Sequence, residues 1–234
     1  NFARNRKGDS VAIKLKMNRP FATRIKPETY QSEKPKNMKI TKEIFDNAMD
    51  FETYDKHVKD LFAKGKTTGD DQSQKFIDFT KLGIQRVKRG LKTITIEDKV
   101  IKSLKSTKSI HWMIITEAWC GDAANIIPVV VKMAEAEERV SLKIMLRDQN
   151  LKIMDRFLTN GARAIPIVIF FDDNFNELAS WGARPKPAQQ IVIAHKKNPV
   201  KSIDEVIVDL QKWYIEDKGQ TLQNEFRDIL ESFE

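Results

Sequence analysis

The sequence from residue 110 to residue 123 reads IHWMIITEAWCGDA, and this stretch decides the fold. Residues 110–115 form a short apolar run without a helical period, which is typical of a buried strand. We expect a helix to follow over about residues 120–138. Unpaired N–H groups and the positive end of the helix dipole gather at a helix N-terminus. We therefore predict that the pKa of the Cys120 thiol falls below its free value of about 8.5.

Strands and helices alternate after this stretch. Strands are predicted at 140–146, 167–171 and 175–181, and helices at 151–158 and 188–196. Alternation of this kind predicts a parallel sheet, and the hairpin formed by the last two strands adds an antiparallel edge. The predicted fold class is therefore α/β.

Helical patterns flank this core on both sides. Before it, apolar residues recur at helical spacing over 41–62 and 71–89, and Gly90 is expected to end the second helix. After it, Ser202 and Glu205 form a capping box in front of another helix. The predicted organisation has four parts: a basic tail at 1–37, an N-terminal helical extension at 38–105, the core at 106–196, and C-terminal helices packed on the core at 197–234.

The positive charge lies in the tail rather than in the predicted core. Residues 1–37 contain ten basic and three acidic side chains, so they carry +7 of the net charge of +8. This composition predicts a poorly ordered, solvated segment, and it is the only part for which we expect nucleic-acid binding.

Cysteine content and hydropathy indicate in which cellular compartment the protein is expected. Cys120 is the only cysteine, so no intramolecular disulfide forms, which agrees with a reducing compartment. No apolar run approaches the ~20 residues that a membrane helix needs. We therefore expect a cytoplasmic protein without a membrane partner.

Several short motifs occur in a characteristic order. Trp119-Cys120-Gly121 is followed by Pro128, then by Asp148-Gln149-Asn150, Ala164-Ile165-Pro166 and Gly182-Ala183. Their order and spacing over about 106–196 resemble the thioredoxin superfamily, whose motif is Trp-Cys-Gly-Pro-Cys. The resemblance implies a thioredoxin fold with a central mixed sheet and helices on both faces. It also implies that Pro166 is cis and faces the cysteine.

A narrower resemblance rests on the residues around these motifs. Glu117 to Ala123, Leu146-Arg147-Asp148 and the stretch from Trp181 to Pro185 are similar to a bacterial thioredoxin-like family with a Trp-Cys-Gly-Asp motif. Members of that family wrap the core in extra helices. The resemblance extends from about Met38 to the end of the chain and leaves out residues 1–37.

The departures from thioredoxin bear on function. Ala123 occupies the position of the second, resolving cysteine, and Ile114 the position of the buried aspartate that accepts a proton in thioredoxin. Asp122 replaces the motif proline and opposes a nearby thiolate by like-charge repulsion. A mixed disulfide on Cys120 has no internal route to resolution, so ordinary dithiol activity is not expected.

Three hypotheses for function remain open at this point. The first is monothiol thiol–disulfide exchange on protein or small-thiol disulfides, with glutathione or another small thiol as co-reductant and no resident cofactor. The second is a thioredoxin-fold binding or adaptor module without turnover. The third is an iron–sulfur cluster held by the cysteine together with a thiol such as glutathione.

Each candidate site residue has a predicted role. Cys120 is the nucleophile, and Ile165 and Pro166 shape the substrate groove. Supporting roles fall to Trp119, Gly121, Asp122 and Glu117, of which Glu117 or Asp122 moves a proton. His57, His111 and His195 are scattered, so no metal site is predicted. The sequence leaves the oligomeric state open.

Overall fold

The computed structural model describes residues 38–107 and 110–233. The basic tail predicted at 1–37 lies outside the described residues. The helices are α1 Lys42–Asp46, α2 Phe51–Ala63, α3 Gln74–Thr93, α4 Asp98–Ser106, α5 Ala123–Glu135, α6 Leu151–Met154, α7 Lys186–Lys197, α8 Ile203–Asp217 and α9 Gln220–Glu231. The strands are β1 Ile110–Thr116, β2 Val140–Leu146, β3 Ile167–Phe171 and β4 Glu177–Gly182.

The strands form one mixed sheet in the order β2-β1-β3-β4. β1 and β2 run parallel, with Ile114 opposite Ile144, and α5 is the crossover helix that a parallel pair requires. β3 is antiparallel to both β1 and β4. The prediction of an α/β fold with a mixed sheet and flanking helices is confirmed.

The sheet is covered on both faces. Neighbouring residues of β1 point to opposite faces, and Trp112, Met113, Ile114 and Ile115 are all fully buried. On the Trp112 face, α9 places Phe226 against Trp112 at 5.5 Å between ring centroids. The C-terminal helices therefore contribute to the core of the described fold.

A smaller aromatic cluster packs around His111 on the opposite face. Phe45 of α1 and Phe175 of the β3–β4 turn both pack against His111, with centroid distances of 5.3 and 4.6 Å. Phe175 adopts a left-handed conformation with φ of 58°. β4 consequently begins at Glu177, two residues later than predicted.

Two predictions for the N-terminal helical extension are wrong in detail. The helix expected at 41–62 breaks into α1 and α2, because Met49 exchanges backbone hydrogen bonds with Ile144 on the edge strand β2 and Asp50 caps α2. Gly90 does not end α3. A Cβ at Gly90 would lie 2.5 Å from the Pro128 ring, so this glycine allows α3 and α5 to pack closely.

The predicted capping box of Ser202 and Glu205 is confirmed at the start of α8. Among the described residues, no helix combines the length and hydropathy needed to cross a membrane.

Candidate functional site

Cys120 lies in the turn between β1 and α5. α5 begins at Ala123, not at Cys120 as predicted, and Asp122 occupies the N-cap position without a side-chain capping bond. The turn is fixed by the backbone, since Cys120 donates its N–H to Glu117 and accepts from Ala124. α5 is apolar around most of its circumference, which is typical of a buried helix. The first turn of α5 is therefore buried, and Cys120, which lies just before it, is buried too.

The thiol makes two hydrogen bonds. Sγ donates to the carbonyl oxygen of Ile165 and accepts the N–H of Ala123, both at 3.4 Å. The Ile165–Pro166 peptide bond is cis. The structure therefore brings together the predicted nucleophile and one residue of the predicted groove.

The predicted lowering of the thiol pKa is wrong. Cys120 is 7% exposed, and burial raises the pKa of its thiol to about 12, with the negative charge of Asp122 as the second cause. The backbone N–H groups of Ala123 and Asp122 and the Arg184 guanidinium act in the opposite direction and do not compensate. A helix N-terminus favours a thiolate by a modest amount, whereas removing an ion from water is costly.

Asp122 belongs to a buried polar cluster. Its Oδ2 pairs with Arg184 at 2.6 Å and its Oδ1 accepts the Tyr214 hydroxyl at 2.9 Å. Burial raises the pKa of the Asp122 carboxyl despite these partners. Because both oxygens are already engaged, the geometry does not favour the predicted role in proton transfer.

Sequence analysis missed both partners of Asp122. Arg184 stands in the Gly182-Ala183-Arg184-Pro185 stretch, which carried the family resemblance but no predicted role for the arginine. Tyr214 lies on α8, in a row of apolar residues at helical spacing that is typical of core packing. The sequence offers one signal, the carboxylate of Asp122 two residues after Cys120, which a cation from elsewhere in the chain would balance.

Glu117 is the second carboxyl near the thiol. It is 1% exposed, and its Oε1 accepts the backbone N–H of Asp148 at 2.8 Å. Its Oε2 is buried and has no hydrogen-bond partner within the described chain. Burial raises the pKa of this carboxyl, and the hydrogen bond from the N–H of Asp148 opposes the shift.

The loop between α2 and α3 supports the site from one side. Thr68 accepts the backbone N–H of Ala118 at 2.8 Å. Gly69 has φ of 79°, and a Cβ there would lie 2.4 Å from Asp148 Oδ2. This loop therefore packs closely against the turn that holds Cys120 and stabilises it.

Trp119 forms the side of the site next to α3. Its ring meets Phe76 edge-on at 4.8 Å between centroids. The Arg147 guanidinium lies 4.9 Å from the Trp119 ring centroid, within the range of a cation–π contact.

A cleft of about 430 Å³ opens above these residues. Trp119, Cys120 and Ile165 line it, Phe76 and Leu82 contribute from α3, and α8 contributes a row of aliphatic side chains. That row is Ile203, Val206, Ile207 and Leu210. Four arginines also line the cleft: Arg86, Arg147, Arg163 and Arg184. The site is therefore an apolar cleft with cationic groups and a protonated thiol.

Within the described part of the chain, no group of three or more His, Cys, Asp or Glu side chains is placed to hold a metal ion. His111 lies at the start of β1, where Nδ1 contacts the Ser141 hydroxyl at 2.6 Å and the ring stacks on Phe175.

Fold and site together define a thioredoxin-fold protein with one cysteine. A sequence-family model described as thioredoxin matches residues 69–198. Since this match covers more than half of the 234 residues, the chain belongs to that thioredoxin family. The match begins in the loop before α3 and so includes α3 and α4.

No curated protein matches this chain. Similar solved structures include an HIV epitope scaffold, which is 17% identical with a TM-score of 0.47 and covers 74% of this chain and 97% of its own. A protein of unknown function from Pseudomonas aeruginosa is also 17% identical, with a TM-score of 0.46 and coverage of 76% and 98%.

Proposed function

We propose that this protein is a thioredoxin-fold binding module whose cleft over Cys120 takes an apolar ligand without thiol–disulfide turnover. The observation that carries the proposal is the burial of the Cys120 thiol, which is 7% exposed and donates its hydrogen bond to the carbonyl oxygen of Ile165. Burial raises the pKa of this thiol and so disfavours its ionised form at neutral pH. Because the thiolate is the nucleophile in disulfide exchange, a protonated thiol supports binding rather than chemistry.

The residue at the second motif position supports the same proposal. Ala123 is 1% exposed and opens α5. A mixed disulfide on Cys120 would have no second thiol in the chain to release it, since Cys120 is the only cysteine.

Monothiol exchange is the second candidate, and the position of the thiol on the wall of the cleft favours it. In this reaction the Cys120 thiolate attacks one sulfur of a disulfide, and the other sulfur leaves as a thiolate. An external thiol such as glutathione then attacks the mixed disulfide and restores Cys120. The Ala123 N–H and the Arg184 guanidinium are the groups that would stabilise the thiolate.

The proposal also covers the cellular location, the family placement and the cofactor content of the protein. The single cysteine supports a reducing, cytoplasmic location. The Trp-Cys-Gly-Asp motif supports placement among bacterial thioredoxin-like proteins. We propose no resident cofactor.

The rate of Cys120 alkylation by iodoacetamide, measured against pH, separates the two candidates. For the binding module we expect the folded protein at pH 8 to react at least about 100-fold more slowly than the urea-unfolded chain, because burial disfavours the thiolate. The matched control is the Cys120→Ser, Ser180→Cys double variant, whose one thiol sits at an exposed position on β4. A reaction midpoint below pH 8.5 in the folded protein would overturn the binding proposal and support monothiol exchange.

A further inference from the structure

We propose that the ligand of the cleft is an amphipathic carboxylate, namely an acyl chain whose carboxylate binds Arg86 and whose tail lies between α3 and α8. This inference rests on the proposed binding function and deepens it by naming the ligand class. Four independent features of the cleft support it.

Arg86 differs from the other arginines of the cleft. Arg147 pairs with Asp148, Arg163 with Asp155 and Arg184 with Asp122, at N–O distances of 2.7, 2.6 and 2.6 Å. Arg86 has no ion pair and no hydrogen bond to any residue in the described ranges. A carboxylate is the group whose two oxygens match the fork of a guanidinium.

The surroundings of Arg86 make an anion favourable there. A Cβ on Gly121 would lie 3.5 Å from Arg86 Nη1, so the guanidinium lies directly over the turn that carries Cys120. Burial, and then the positive charge of Arg89, lowers the pKa of Arg86. Asp122 is the nearby anion, but its two oxygens are already held by Arg184 and Tyr214.

Arg184 offers a second donor in the same cleft. Its Nε is buried and has no hydrogen-bond partner in the structure's described part. Burying a guanidinium N–H without a partner is unfavourable, and an anion beside it would satisfy it. Arg184 thus adds a buried donor without a partner to the unpaired guanidinium of Arg86.

The walls of the cleft suit an acyl chain. Leu82 of α3 and Ile203 and Ile207 of α8 are 42%, 57% and 38% exposed, although each lines the cleft. The volume of about 430 Å³ falls within the ~300–1,000 Å³ typical of small-molecule sites.

Isothermal titration of the full chain with dodecanoate, dodecanol and butanoate, each below its aggregation concentration, tests the proposal. We expect dodecanoate to bind about tenfold more tightly than dodecanol, and butanoate to bind weakest, because both the carboxylate and the tail contribute. Arg86→Gln should weaken dodecanoate about tenfold and leave dodecanol unchanged. The matched control is Lys88→Gln, which removes an exposed charge two residues away on the other side of α3.

The outcomes separate this inference from the function on which it rests. Equal affinity for dodecanoate and dodecanol, or equal losses in Arg86→Gln and Lys88→Gln, would overturn the carboxylate while leaving an apolar binding module. Failure of every ligand to bind would overturn the acyl-carboxylate inference, whereas a Cys120 alkylation midpoint below pH 8.5 would overturn the module itself. Tighter binding of the peptide Ala-Leu-Leu-Phe with a free C-terminus than of dodecanoate would overturn the acyl chain in favour of a peptide.

Discussion

At the scale of single residues, Cys120 and Asp122 illustrate a competition between burial and the helix dipole. The dipole favours an anion at the start of α5. The Cys120 thiol and the Asp122 carboxyl, which both lie there, are nevertheless buried away from water. The sequence located the thiol correctly, next to a strand end and a helix start. It did not reveal the exposed fraction of the thiol, because that depends on tertiary neighbours such as Ile165, which is 45 residues away in the sequence.

Glu117 provides a prediction at this scale. Burial raises the pKa of its carboxyl above 4.5. Its contribution to stability is therefore greatest below pH 4.5 and is lost as the pH rises through the folded-state pKa. We expect the free energy of unfolding of Glu117→Gln to increase relative to that of the wild type between pH 4 and pH 7.

Urea unfolding at a series of pH values measures this difference. The control is Glu216→Gln, which changes an exposed glutamate on α8 and should run parallel to the wild type. A constant difference between Glu117→Gln and the wild type across the range would mean that Glu117 is not held in a desolvated environment.

At the scale of elements, periodicity predicted the strands well and the helix ends less well. β2 and β3 coincide with their predicted ranges, since runs of apolar or alternating residues bounded by turns have few other interpretations. Gly90 was misread because glycine both ends helices and permits close helix packing. The position of the Pro128 ring against Gly90 shows that close helix packing, and not helix termination, is the reason for this glycine.

The crossing of α3 and α5 can be tested at Gly90. In Gly90→Ala the new Cβ would lie 2.5 and 2.8 Å from two atoms of the rigid Pro128 ring. We expect a loss of about 1–3 kcal/mol in the free energy of unfolding from overpacking, although alanine alone would favour the helix by about 1 kcal/mol.

A double-mutant cycle with Pro128→Ala identifies the cause of that loss. Removing the ring should relieve the contact, so the two substitutions should couple by about 0.5–3 kcal/mol in urea unfolding. Gln85→Ala, at an exposed position on α3, serves as the control for helix propensity. Additive effects of Gly90→Ala and Pro128→Ala would refute the contact as the reason for the glycine.

At the scale of the whole molecule, the helices outside the strand region do more than flank the sheet. α8 forms one wall of the cleft and supplies Tyr214 to Asp122. α9 enters the core through Phe226. The sequence predicted that these helices pack on the core, because each carries an apolar stripe. It did not predict which face they cover, since a stripe specifies burial and not its partner.

Phe226 tests whether α9 and the sheet unfold as one unit. It is fully buried and its ring lies 5.5 Å from Trp112, 5.1 Å from Phe170 and 5.5 Å from Trp181 between centroids. We expect Phe226→Ala to lower the free energy of unfolding by about 3–5 kcal/mol. Phe233→Ala, a partly exposed neighbour of Phe170, should cost clearly less.

The same samples distinguish a shared core from a helix that is only attached. If α9 is part of the core, urea unfolding followed by tryptophan fluorescence and by far-UV circular dichroism should give coincident single transitions in the wild type and in Phe226→Ala. An early loss of helical signal, with the tryptophan transition unchanged, would mean that α9 unfolds separately. In that case Phe226 would contribute to docking of the helix and not to the stability of the sheet.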